Sequence, residues 1–331
     1  MSLGAITKIY LLNEALLVTW FQSSRILVTW DGKLIQLWSP DGAEIFRYRF
    51  EKVFRISRNP VRDAIILGGT FSKKTNGFVI NSSGDIIGTI DPLSEWSVDG
   101  EKILSLTIRK DKRALNLWSY GEFKVTKQNT VKINRQISDI NWGFEANYVL
   151  GISYKDNKAY IIDLSTGKTK MDFKSKGELS SIVWSPYANL VAIGDKKGNL
   201  YVYRISFSSK GKLRKEELLK KKFDGAIGRI KWCSTSQLIF SANNSVNLLN
   251  IDTEEVLNLG PGTIFDTSFD VNYVAIGYDN VVRIHGAISG EQRKIIKLGG
   301  VVNDLEFSPN GNYLAIASSD FIVRIVSESE F

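Results

Sequence analysis

The sequence predicts an all-β protein: one eight-bladed β-propeller of four-stranded antiparallel blades over residues 1–331, with a seven-bladed ring as second choice. Three observations lead there. First, a large apolar residue, a turn of about five residues and then an apolar strand recur at Trp20, Trp96, Trp142, Trp184, Trp232 and Phe307. Ile56 holds the same place with an extra turn residue, and Phe269 with a shortened turn. Second, successive anchors lie 36 to 48 residues apart, and a period near ~40 built from short strands is the signature of propeller blades. Third, alternation of apolar and polar residues dominates, with almost no helical periodicity. The seven-bladed option arises because the second unit lacks an aromatic anchor and could be an irregular insertion.

The units run approximately 14–50, 53–91, 94–133, 137–174, 179–223, 227–259, 264–298 and 302–326. The last displays the layout: DLEFS (304–308) is an inner strand, PNGN a turn, YLAIAS (313–318) a second strand and FIVRIV (321–326) a third. Its fourth strand is missing. AITKIYLL (5–12) has strand character and no partner of its own, so it is expected to supply that strand and close the ring, removing exposed edges.

With 43% hydrophobic residues, eight Trp and seventeen Phe, the chain can bury a large core. Radial repetition explains its length as a single domain. No apolar stretch is long enough to span a bilayer, and Lys8 and Glu14 break the apolar run at the start, unlike a signal peptide. An intracellular, cytoplasmic protein is expected, nuclear being an option in a eukaryote. The one cysteine, Cys233, permits no internal disulfide and no thiolate zinc site.

FSPNGNYLAIASSDFIVRIV in the last unit, IVWSPYANLVAIGDKKGNLYVY in the fifth and ILVTWDGKLIQLW in the first share an order of turn, small-residue strand, acidic turn and third strand. In this the chain resembles the WD-repeat propeller family along nearly its whole length. The family's Gly-His pairs are absent, and its terminal Trp-Asp survives only as Trp38-Ser39 or Ile162-Asp163. The resemblance implies that Asp31, Asp156, Asp195, Asp279 and Asp320 are the family's turn aspartates, expected to cap those turns. It also implies a scaffold that holds other proteins of a complex.

Catalysis finds little support. His285, the only histidine, lies in the alternating strand VVRIHGAI and reads as a packed strand residue, so a Ser-His-Asp triad has one possible member. Cys233, beside Trp232, reads as core packing, and no metal or cofactor is expected. A sialidase-type Ser-x-Asp-x-Gly-x-Thr-Trp turn is absent. Asp163 to Lys168 is similar to the docking turn of quinone-dependent propeller dehydrogenases, but Met171 occupies the tryptophan's place. The segment reads as a tight turn closed by a carboxylate and a glycine at positive φ.

Charge is the feature that points somewhere. Net charge is +8, which speaks to partners and solubility and not to fold. In blade topology the turns between second and third strands share one face with the loops between blades. These turns carry Lys73 and Lys74 in unit two, Arg109, Lys110, Lys112 and Arg113 in unit three, Lys155 and Lys158 in unit four, and Lys196 and Lys197 in unit five. Interblade loops add Lys132, Arg135, Lys174 and Lys176, whereas the equivalent turns of the last three units have no Lys or Arg. A basic quadrant interrupted by Asp111, Asp156 and Asp195 is expected, suited to an anionic partner. Aromatic residues for stacking on bases are scarce there, with Phe71 and Tyr154 the nearest.

A second basic element, SSKGKLRKEELLKKKF (208–223), holds Lys210, Lys212, Arg214, Lys215, Lys220, Lys221 and Lys222. It reads as a solvated hairpin extension, or as a short helix with Leu213, Leu218 and Leu219 as a partial stripe. The function expected from all this is a non-enzymatic scaffold that mediates protein-protein interactions in a multi-subunit complex, with a basic sector for an anionic partner, phosphates and acidic peptides both qualifying. Direct RNA or DNA binding in a ribonucleoprotein or chromatin-associated assembly is the alternative.

Overall fold

A computed structural model describes residues 6–110, 112–143, 146–208 and 212–331. The chain folds into eight four-stranded antiparallel sheets, so the architecture is an eight-bladed β-propeller and not a seven-bladed one. In chain order, blades one to seven span 17–49, 52–90, 93–133, 139–174, 179–222, 227–261 and 264–297. Blade eight takes strands at Val302–Phe307, Tyr313–Ser318 and Ile322–Ser327, and its fourth is the N-terminal strand Thr7–Tyr10. Thr7 lies opposite Ile325 and Tyr10 opposite Ile322, an antiparallel register. Ile9 and Leu11 are thereby buried with Val323 and Ile325. Among the described residues, no helix is long and apolar enough to cross a membrane.

The contacts divide the chain into two compact units, one of 1–92, 122–124 and 261–331, the other of 93–121 and 125–260. The first holds blades seven, eight, one and two, packed in that order through apolar clusters. The second holds blades three to six. There, Leu104, Leu106 and Leu115 of blade three pack on Trp142, Val149 and Tyr160 of blade four. Leu150, Ile161 and Phe173 of blade four pack on Trp184 and Val191 of blade five, whose Leu190 and Leu200 meet Trp232 of blade six. Face-to-face sheets of β-branched and aromatic residues dominate the buried apolar area, the main favourable term in folding.

The anchor tryptophans end the innermost strands. Trp20 pairs with Leu27, Trp142 with Val149 and Trp184 with Val191. Polar side chains one residue before some of these strand ends pin the next blade. Asn141 accepts the Trp184 amide at 2.7 Å, and Asp266 accepts that of Phe307 at 2.9 Å.

Two anchors differ from the sequence expectation. In blade seven the strand ends at Thr267, opposite Val274, while Phe269 lies beyond it and is 74% exposed. The shortened turn reflects that two-residue displacement. In blade two the position belongs to Arg58, opposite Ile65, and Ile56 sits two residues earlier. Arg58 is held there by Glu306 of blade eight at 2.7 Å.

The turn aspartates divide. Asp31 accepts the amides of Lys33 and Leu34, and Asp195 those of Gly177, Lys197 and Asn199. Asp320 makes a denser network: Arg324 meets it at 2.7 Å, Ser318 donates at 2.6 Å and the Gly299 amide at 3.0 Å. Burial raises the Asp320 pKa, but these donors outweigh it and hold the carboxyl at about 2. Asp156 instead accepts the Tyr160 hydroxyl. Asp279 adopts φ 51° and offers its carbonyl to the Val302 amide. Asp163 and Gly167 form the expected tight turn, with Ser165 and Thr166 amides on the carboxylate and Gly167 at φ 70°.

Candidate interaction surface

In the unit of blades three to six, the turns between second and third strands and the interblade loops project at the same ends of the packed sheets, because all four sheets share one strand order. Blade three contributes a hairpin in which Arg109 ends the second strand (Lys102–Arg109) opposite Lys112, the first residue of the third (Lys112–Tyr120). Lys110 between them adopts φ 47°, a left-handed turn conformation. Blade four brings exposed Lys155 and half-buried Lys158, and the latter lies directly opposite Lys174 of the fourth strand. Like charges facing across a ladder repel, and an anion placed between them relieves that cost. Lys176 and Lys197 are exposed at the junction with blade five and its turn.

Several of the cations are already engaged. Arg113 donates to the carbonyls of Lys110, Lys112 and Ile137 at 2.7 to 3.1 Å, clamping the hairpin to the following loop. Arg135 lies 5.1 Å above the Tyr160 ring. Lys196 pairs with Glu178 at 2.6 Å, both side chains being more than half exposed, so this pair adds little energy but neutralises the charge. Lys73 and Lys74 of blade two are exposed and belong to the other compact unit, where the Lys73 amide is held by Glu51. Asp111 and Lys210 lie outside the described residues.

The strand faces of blade three add a cavity of about 650 Å³ whose lining includes Arg109, Lys112, Arg113, Lys127 and Lys132 and, among the described residues, no carboxylate. Its floor is a hydrogen-bonded row in which Thr130 donates to Asn116 at 2.8 Å and Asn116 donates to Thr107 at 2.7 Å. This is the face opposite the one that packs Leu104, Leu106 and Leu115 on blade four. Lys127 lies within a strand, in none of the basic turns that the sequence singles out. Its signal was the strand VTKQNTVKI, whose polar residues occupy both faces where a strand buried on one side would alternate.

The second basic element is not helical. Leu213–Lys222 is the ten-residue outer strand of blade five, with Leu213 and Leu219 buried against the sheet. Its cations serve the fold. Lys215 donates to the Asp172 carbonyl at 2.6 Å and lies 5.0 Å over Phe173, Lys220 lies 6.0 Å over Tyr201, and Lys221 reaches the Glu254 carbonyl. Lys212, Arg214 and Lys222 are exposed.

His285 is buried on the third strand of blade seven with Nδ1 3.1 Å from the Gly290 carbonyl, and Cys233 is buried beside Trp232. Among the described residues no group of three or more His, Cys, Asp and Glu is placed to hold a metal ion.

Residues 293–327 match the family described as WD domain, G-beta repeat. The chain is similar to THO complex subunit 3 of Arabidopsis thaliana, 20% identical over 247 residues that cover 70% of this chain and 74% of that protein. It also resembles the C-terminal WD40 domain of Sif2 at 13% identity, with a TM-score of 0.75 and 99% of each chain covered.

Proposed function

Because the chain is a WD-repeat β-propeller, we propose that it is a non-catalytic subunit that holds protein partners within a larger complex, using the lysine-bearing turns of blades three to five. The observation that carries this reading is the opposed Lys158 and Lys174, flanked by exposed Lys155, Lys176 and Lys197 at one edge of packed blades. An acidic segment laid along that edge gains several weak charge contacts at once and relieves the cross-strand repulsion. Similarity to a protein named as a subunit of the THO complex supports membership of an assembly.

The test is affinity purification of the protein from its native cell, with and without nuclease, beside a variant carrying Lys155→Glu, Lys158→Glu and Lys197→Glu. Nuclease-resistant partners that the variant loses support the reading. Partners retained by the variant sink it, and partners released by nuclease point instead to nucleic acid, whose binding also falls steeply with salt.

A further inference from the structure

We propose that the cavity on blade three is a binding site for a small molecule bearing two or more phosphate groups. Arg109, Lys112, Lys127 and Lys132 converge on it, and among the described residues its lining holds no carboxylate. Each is exposed, so each can turn toward a ligand. The cations form two groups at opposite ends of the polar floor. Lys132 stands opposite Ala114, two residues from Lys112, and Lys127 stands opposite Trp118. Four residues of strand separate those two rows, about 13 Å at the usual rise. One phosphate cannot engage both ends, whereas two phosphates on a sugar or polyol can.

The floor between them suits such a scaffold. Exposed Thr130 donates to buried Asn116 at 2.8 Å and so turns the lone pairs of its hydroxyl oxygen to ligand hydroxyls. Lys127 stands 5.5 Å over the Trp118 ring, a contact that holds its ammonium at the far end. The volume of about 650 Å³ lies in the range of small-molecule sites. A compact ligand fits better than a polymer because the cavity is confined to one blade. Lys155, Lys176 and Lys197 on the neighbouring blades do not line it.

This site goes beyond the scaffold reading and does not depend on it. The experiment is calorimetric titration of the full chain with inositol hexakisphosphate as probe, with inorganic phosphate, a single-stranded RNA oligomer and an acidic peptide in parallel. The expected result is saturable binding of the probe, far weaker binding of inorganic phosphate, and a loss of about tenfold in each of Lys127→Gln and Lys112→Gln, the value of one charge-assisted contact. Lys197→Gln, outside the cavity, should bind the probe as wild type does. Unchanged thermal midpoints confirm that the variants fold, and a change in Trp118 fluorescence on binding, lost in Trp118→Phe, reports the site independently. Absence of saturable binding overturns the proposal, as does an equal loss in Lys197→Gln. So does tighter binding of RNA or peptide that is sensitive to the same cavity variants. None of these outcomes bears on the partner captures made with the blade four and five variants.

Discussion

Replacing Asp320 with asparagine removes the anion at the centre of the blade eight network while leaving its shape. Arg324 then keeps a full charge in a site where its side chain is only 9% exposed. Uncompensated buried charge of this kind costs about 3 to 5 kcal/mol. The native carboxyl titrates at about 2 against its ordinary 3.8, a difference worth about 2 kcal/mol. Since the folded pKa is depressed, that contribution is complete above the unfolded pKa and is lost as pH falls from about 4 through about 2. Urea unfolding followed by tryptophan fluorescence measures both effects. Wild type should exceed Asp320→Asn by at least about 3 kcal/mol at neutral pH, and the gap should narrow by about 2 kcal/mol in acid. Replacing Asp320 and Arg324 together with Leu and Met should restore much of the loss, because an apolar pair leaves no stranded charge. A variant within about 1 kcal/mol of wild type, or one whose deficit is the same at both pH values, would refute the reasoning.

A methyl group on Gly143 would overlap the indole of Trp184, so Gly143→Ala should destabilise the blade four and five packing by about 1 to 3 kcal/mol, seen as a lower urea midpoint with an altered Trp184 emission. Arg113→Gln leaves the carbonyls of Lys110, Lys112 and Ile137 without their shared donor. It should cost about 1 to 3 kcal/mol and raise hydrogen exchange in the 102–120 hairpin, where unchanged exchange would contradict the clamp. Deleting residues 1–12 uncovers the outer edge of Ile322–Ser327 and the apolar surface under Ile9 and Leu11. The shortened chain should self-associate in size-exclusion chromatography, and addition of a peptide spanning 5–12 should reverse this.

The blades were legible because each unit repeats one local pattern, and strand alternation with an aromatic at the strand end needs no knowledge of distant contacts. Phe269 misled because aromatic identity outweighed register: the strand stops at Thr267, and a polar residue suffices there beside Asp266, which binds the next blade. The strand Leu213–Lys222 was ambiguous because its charges obscure the period, and pairing with Asn199–Phe207 decides the matter. Positions of the basic turns followed from topology. What their side chains do did not, since Arg135 is committed by Tyr160 and Lys215 by Asp172 and Phe173, partners set by three-dimensional packing. Lys127 went unnoticed for the converse reason: it lies in no turn and enters the cavity only through the pairing of its strand.

The pairing of Thr7–Tyr10 with Ile322–Ser327 joins segments more than three hundred positions apart in the sequence. During synthesis the first strand therefore emerges long before its partner exists, and it must wait unpaired while seven sheets assemble from purely local neighbours. Contacts of such long range form late and slowly. The final sheet thus acts as a latch that fastens only once residues 322–327 have been made, and a ribosome stalled before residue 322 would release a product with an apolar, unpaired edge for quality-control proteases to recognise.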